Sequence, residues 1–293
     1  MIACAVAIVL VSLPVIGQQP ATTKTSSSPA EQPTGKAFRS PADAAAALYG
    51  AARRNDEAEL MVIFGPDCKD ILEWGNNPEM RQQQRAQFAD KYDQMHRLVK
   101  EPDDTVALYV GAENWPLPIP IVEYKGKWYF DIQVGRQEIL YRRLGRNEME
   151  ALEVSRSLID AEKEYYSQAH NYTALFVSSS GSKDGLYWPA NGSEEKSPIG
   201  PYLAHAGLNG PSTNGLEPYH GYYYRILLTQ NTTGNAGGFA VLAFPAEHRS
   251  SGVMTFLVDE NGNAYEKDLG QKTAELAKQI SSPAPDSSWN KVE

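Results

Sequence analysis

Cysteine is nearly absent: Cys4 and Cys68 are the only two in 293 residues, which excludes a disulfide-built scaffold and a cysteine-rich zinc site. The five histidines, His96, His170, His205, His220 and His248, are scattered without metal-ligand spacing, and no His-Glu-x-x-His occurs. A phosphate-binding Gly-rich loop and a Gly-x-Gly-x-x-Gly turn are also missing, and Ser178 to Ser182 does not form Gly-x-Ser-x-Gly. Zinc proteases, nucleotide hydrolases, Rossmann dehydrogenases and serine hydrolases therefore have no sequence handle, and no cofactor is expected. Positive charge is in deficit as well, with 27 Lys+Arg against 36 Asp+Glu and a net charge of −9. That balance argues against nucleic acid as a partner and against anionic membranes. No apolar run reaches the roughly 20 residues that a stable membrane span requires.

What is present suits a folded chain, since hydrophobic residues make up 42% and charged residues 22%. The length carries an expectation of about two domains. Residues 1–17 hold an apolar stretch from Ala5 to Ile16 with polar, small residues after it. This reads as a signal peptide cleaved after Gly17, although the usual positive n-region is missing. Ile-Ala-Cys at the start resembles the end of a lipobox, but only three residues precede Cys4. Residues 18–37, rich in Gln, Thr, Ser and Pro, read as a flexible linker. An exported protein, periplasmic or secreted, is the expectation.

The first module is expected at 38–145. Ser40-Pro41-Ala42-Asp43 carries a helix start, a second helix opens at Asn55 or Asp56 and closes at Gly65-Pro66, and a third runs from Glu79 to Lys100. The third would bury Phe88, Tyr92, Met95 and Leu98 at helical spacing. Strands follow at Thr105–Val110, Ile119–Tyr124 and Trp128–Ile132, with Lys125-Gly126-Lys127 as a tight turn. Alternate prolines from Trp115 to Pro120 suit only an edge or lip.

The second module is expected at 146–293. Asn147 reads as the cap of a polar, amphipathic helix from Glu148 to Ala169, with a long irregular stretch from Val177 to Tyr219 behind it. Strands resume at Tyr222–Thr229, Gly238–Pro245, Val253–Asp259 and Ala264–Lys267. Glu260-Asn261-Gly262-Asn263 is a hairpin signal between the last two. Helices followed by antiparallel strands in both halves give the α+β class.

The order of helices and strands in the first half, with its Gly-Lys-Trp-Tyr-Phe-Asp hairpin (126–131), resembles the NTF2-like cones, a few helices on a curled antiparallel sheet. The long helix, loop and meander of the second half resemble the globular head of type IV pilins and pseudopilins, without their apolar membrane helix. More specific is a set of motifs: Trp-Pro-Leu-Pro-Ile-Pro (115–120), Glu-Ile-Leu-Tyr-Arg-Arg-Leu-Gly-Arg-Asn-Glu (138–148) and Lys-Asp-Gly-Leu-Tyr-Trp-Pro-Ala (183–190). Pro-Tyr-His-Gly-Tyr-Tyr-Tyr-Arg-Ile (218–226) and Gly-Val-Met-Thr-Phe-Leu-Val-Asp-Glu-Asn-Gly (252–262) complete it. Together they resemble the bacterial family called domain of unknown function 2950, from about Phe38 to Trp289. That resemblance implies a bacterial, exported protein and brings no assigned activity or catalytic residue.

Candidate residues follow from chemistry. Trp115, Trp128 and Asp131 in the first half, and Trp188, Tyr219, His220 and Tyr222 in the second, offer aromatic and polar surface for a partner; each also suits a core or a strand. Tyr92 and His96 are further wall candidates for a pocket in a cone. Asp67 with Asp70, or Asp103 with Asp104, could pair as glycosidase carboxylates, and equally suit solvated loops. Asp259, Asn261 and Asn263 offer oxygen ligands to calcium, or simply make a hairpin. No catalytic residue is assigned. The expectation is a non-enzymatic binding or assembly factor of the cell envelope with a protein or glycan partner; the alternative is a hydrolase of envelope material using a pocket in the first module.

Overall fold

The computed structural model describes residues 33–72, 77–189, 196–208, 216–229 and 237–292. The expected signal peptide, Cys4 and nearly all of the linker lie outside the described residues, as does the loop at 211–215. The rest is a mixed arrangement of helices and two open antiparallel sheets, an α+β fold.

Local chemistry sets the first helices. Helix α1 (Pro41–Arg53) starts where the Ser40 hydroxyl accepts the Asp43 N–H at 3.1 Å, with Pro41 in the first turn. Asp56 caps α2 (Glu57–Phe64) in the same way, and the extended chain at Gly65, with φ of +89°, ends it. A short α3 (Lys69–Leu72) and then α4 (Pro78–Gln94), capped by Asn77, complete the helical layer.

The helix expected to reach Lys100 stops at Gln94. Met95 turns extended and His96–Lys100 become strand β1, paired antiparallel with β2 (Val106–Val110) from His96↔Val110 to Lys100↔Val106. Met95 and Leu98 do fit the helical spacing of Phe88 and Tyr92. Tertiary pairing overrides that pattern, because the strand engages one side of the β2 backbone and sets Leu98 opposite fully buried Leu108. The sheet continues through β3 (Trp115–Pro116), β4 (Ile121–Tyr124) and β5 (Lys127–Phe130) in the order β1-β2-β4-β5, with β3 beside β2. Lys125 and Gly126 both have positive φ, 51° and 74°, as a two-residue hairpin turn demands. Leu108, Val110, Ile121 and Phe130 face α1 and α2 to form the first core.

Helix α5 (Ile132–Ala169) overturns the expected junction at Leu144-Gly145-Arg146. It starts 16 residues before Glu148 and passes through the junction unbroken for 38 residues. Asp131 supplies its cap, accepting the Gln133 and Val134 N–H groups at 3.1 Å, and no proline follows until Pro189. Asn147 caps nothing; its amide donates to the Ser251 carbonyl.

After α5 the chain passes through a bridged loop and α6 (Pro201–His205) into the second sheet. Its strands are β6 (Tyr222–Leu228), β7 (Phe239–Pro245), β8 (Met254–Asp259), β9 (Ala264–Asp268) and β10 (Asn290–Lys291), in the order β10-β9-β8-β7-β6. Helix α7 (Thr273–Gln279), which the sequence pattern left unmarked, covers one face while α5 covers the other. Every residue of β7 is buried, which explains why it reads Phe-Ala-Val-Leu-Ala-Phe-Pro without alternation. Arg225 reaches across the α7 face and donates to the carbonyls of Ala277 and Ile280, satisfying the end of that helix.

Two glycines of α5 have opposite surroundings. A methyl group at Gly135 would meet Ile119 Cγ1 at 2.6 Å, whereas one at Gly145 would meet nothing within 4 Å. Gly135→Ala is expected to lose about 1–3 kcal/mol to overpacking. Gly145→Ala is expected to gain about 0.5–1 kcal/mol, as for any helix interior relieved of glycine. Thermal or urea unfolding of the two variants gives the signs; a Gly145→Ala change that lowers stability would contradict a continuous helix there.

Candidate functional site

The register of the first sheet creates its open end. Lys100 lies opposite Val106, Val106 opposite Ile121, and Ile121 opposite Phe130. One step of two residues further along the last pair, Glu123 lies opposite Trp128. Because side chains alternate, Lys100, Glu123 and Trp128 point to the same face as the core but lie at its rim. There an open groove of about 560 Å³ is lined by Lys100, Asp103, Asp104, Thr105, Val122, Glu123 and Trp128.

Trp128 is held from its backbone. Its N–H and C=O both bond to Phe38, at 3.0 and 2.8 Å, so neither is directed at β4. Trp128 and Glu123 thus form a non-hydrogen-bonded antiparallel pair, the kind whose side chains stand closer together. The opposite wall is the turn between β1 and β2. Asp103 accepts the Thr105 N–H at 3.1 Å and its hydroxyl at 2.8 Å. Asp104, at φ of 66°, pairs with Lys100 at 2.7 Å. That ammonium holds the Asp104 carboxyl below the usual carboxylate range, and Asp104 in turn raises Lys100. The groove therefore offers one aromatic platform, hydrogen-bond-accepting carboxylates and one cation.

The other candidates go elsewhere. Trp115 is 36% exposed on its two-residue edge strand, with the Arg142 guanidinium 5.6 Å over its ring and the same arginine donating to the Pro116 carbonyl. Asp131 is the cap of α5 rather than a groove wall. Tyr92 of α4 stacks between Tyr49 of α1 and His96 of β1, at 4.5 and 3.8 Å. Asp70 is bound by Arg136, which also donates to the Asp67 carbonyl, so this acidic pair serves as a clamp between α3 and α5. Cys68 is buried, which pushes its thiol up and away from a reactive thiolate.

In the second half, Tyr222 is fully buried and donates to the Met254 carbonyl at 2.9 Å, and Trp188 is 7% exposed. Both are core residues and correct the expectation of a binding surface. Tyr219 and His220 lie on the turn into β6, where His220 Nδ1 meets Glu150 at 2.8 Å. The structure thus brings Trp128 to the groove together with the candidate carboxylates Asp103 and Asp104, and none of the others. Sequence reasoning missed Lys100, Thr105, Val122 and Glu123 as its walls. The available signal was the β-branched and aliphatic pair Leu98-Val99 running into the Pro102-Asp103-Asp104 turn, which suits a hairpin.

Asp259 is occupied by its own turn. One carboxylate oxygen accepts the Asn261 and Asn263 N–H groups at 2.9 Å, and the other accepts the Asn263 side-chain amide at 2.8 Å. Asn263 therefore presents its NH₂ to Asp259, the wrong polarity for a cation. No group of three or more His, Cys, Asp or Glu among the described residues could hold a metal ion. Among them, too, no helix is long and apolar enough to cross a membrane.

Residues 35–292 match the family described as Protein of unknown function (DUF2950). The chain belongs to this family. Neither the curated proteins nor the solved structures compared with it contain a match, so the NTF2-like and pilin-head resemblances gain no support from a solved fold. The groove of this DUF2950 protein is consequently argued from its own residues.

The Asp259 turn yields a direct test. Asp259→Ala is expected to cost about 1–2 kcal/mol through lost turn hydrogen bonds. Millimolar calcium is expected to leave the melting temperature of the native protein unmoved, since a ligand bound only by the folded state would raise it. A calcium-dependent rise abolished by Asp259→Ala would overturn this reading.

Proposed function

We propose that this protein is an exported, non-enzymatic binding factor of the cell envelope, and that the groove around Trp128 takes a glycan. Export is argued from the signal-like segment 1–17. The glycan is argued from the pairing of Trp128 with carboxylates on one rim. The apolar face of a sugar ring stacks on an indole, while its hydroxyls donate to carboxylate oxygens. Lys100 adds a donor for a ring or acetamido oxygen.

The carrying observation is the position of Trp128, braced by Phe38 and set opposite Glu123 at the open end of the sheet. The hydrolase reading has less behind it. A general acid for glycoside cleavage needs a carboxyl raised by an apolar surround. Asp104 is exposed and held low by Lys100, and Asp103 is spent on Thr105.

The test is affinity electrophoresis or calorimetry of the full chain with soluble envelope glycan fragments. Trp128→Ala is expected to weaken binding about tenfold or more, equivalent to about 1.4 kcal/mol. Trp115→Ala, outside the groove, should bind as the native protein does. Loss of binding in both variants, or in neither, would sink the assignment. Release of new reducing ends during the titration would favour the hydrolase instead.

A further inference from the structure

Glu162, on α5, stands apart from the groove and from every role described so far. It is fully buried in the core between α5 and the second sheet. Its Oε2 accepts the N–H of Thr173 at 3.2 Å, and its Oε1 has no hydrogen-bond partner among the described residues. A polar atom left so is costly, and an uncompensated charge there far more so.

The hydrogen bond to Thr173 fastens a strap. His170, at φ of 56°, ends α5 and turns the chain back over the helix. Thr173 then donates its hydroxyl to the Asp184 carbonyl at 2.7 Å and accepts the Leu175 N–H. Bonds from Leu186 to Leu175, Tyr187 to Phe176 and Ser178 to Tyr187 close residues 171–188 on themselves. Phe176 and Leu186 are the fully buried side chains that the strap contributes to the core, with Tyr172, Val177 and Tyr187 packed against it. Glu162 thus sits beneath the first tie of a loop whose other backbone tie outside itself, among the described residues, is the Ile199 N–H on the Leu186 carbonyl at 3.3 Å.

We propose that Glu162 is a proton-dependent latch: its protonated carboxyl keeps the 171–188 strap closed over α5, and its ionisation lets the strap open.

Among the described residues no cation acts on Glu162 to hold it ionised, the strap's Lys183 lying over the Trp188 ring. On α5 itself its neighbours are Tyr165 and Tyr166, with Lys163 exposed to solvent. The strap brings Tyr172 and the Asp184 carboxylate, which is held down to about 2 by Ser179 and Ser182. Strand β7 carries no titratable side chain. On β6 the titratable groups on this face are Tyr222 and Tyr224, Arg225 being directed to α7. The end of β8 adds Asp259, spent on its turn, and beyond it Glu260, whose carboxylate accepts the Phe239 N–H. Burial accordingly pushes the Glu162 carboxyl from 4.5 up to about 8, against the opposing pull of the Thr173 N–H.

The direction with pH follows. Below about 4.5 the open and closed states both carry the proton, so closure is at full strength. Between about 4.5 and 8 only the open state ionises, and closure weakens about tenfold for each unit of rising pH. Above about 8 both are ionised and the loss levels off.

Hydrogen exchange of the full chain, read residue by residue from pH 5 to 9, tests this. Protection of the Thr173 amide is expected to fall about tenfold per unit between pH 5 and 8 and then flatten, while remaining below that of Val241 in β7 at every pH. In Glu162→Gln, which keeps the acceptor for Thr173 without the proton, the profile should be flat. Three outcomes overturn the latch: a flat native profile, an equal fall in Glu162→Gln, or equal protection at Thr173 and Val241. The last would mean that the strap opens only when the whole domain unfolds, and it can be read on native protein alone if the variant does not fold.

Discussion

The unbroken backbone of α5 is the constraint on which the remaining architecture depends. At 1.5 Å per residue its 38 residues span about 57 Å. Its first turns are capped by Asp131 at the end of one sheet, and its last four turns bury Leu158, Ile159, Ala161 and Tyr165 against the other. Side-chain ties fix it at both ends. Arg136 holds Asp70 and Arg142 holds the Pro116 carbonyl, while Glu148 accepts the N–H groups of Val253 and Met254. The core of the first sheet and the core between α5 and the second sheet are thereby connected through a helix rather than through a linker.

Much of the fold was legible because local chemistry decided it. Ser40, Asp56 and Gly65 bound their helices, and Lys125-Gly126 and Glu260–Asn263 turn their hairpins, at the expected places. What was illegible depended on contacts distant in sequence. Asn147 has cap chemistry but finds Ser251, 104 residues away. Leu98 has helical spacing but finds Leu108 across a strand. The start of α5 was hidden because Ile132, Val134 and Gly135 are poor helix formers, and only the cap at Asp131 marks it.

The groove was legible in part, for the same reason. Trp128 stood out as an aromatic on a hairpin, but its wall partners required the register of β1 against β2 and of β4 against β5. With β1 read as helix, Lys100 had no face to belong to. In the second half the aromatic run at Tyr222–Tyr224 was conspicuous for core reasons: alternate tyrosines fill the space under α5, and their phenols are pushed far up by burial. Glu162 gave no sequence signal, lying among the other acids of a helix that looks uniformly polar. Only its rotation toward the sheet distinguishes it from Glu164.

A continuous helix between two anchored ends also sets what variation the chain can accommodate. At Gly145 a side chain would meet nothing within 4 Å, so substitution there is cheap, unlike at its buried neighbour Leu144. Length is another matter. One inserted or deleted residue would turn the second half by about 100° about the helix axis relative to the first. The ties at Arg136 and Arg142 could then no longer be satisfied together with those at Asn147 and Glu148. Loops can absorb such changes; this segment fixes the phase between two sheets, and a single-residue indel would break it where most point changes would not.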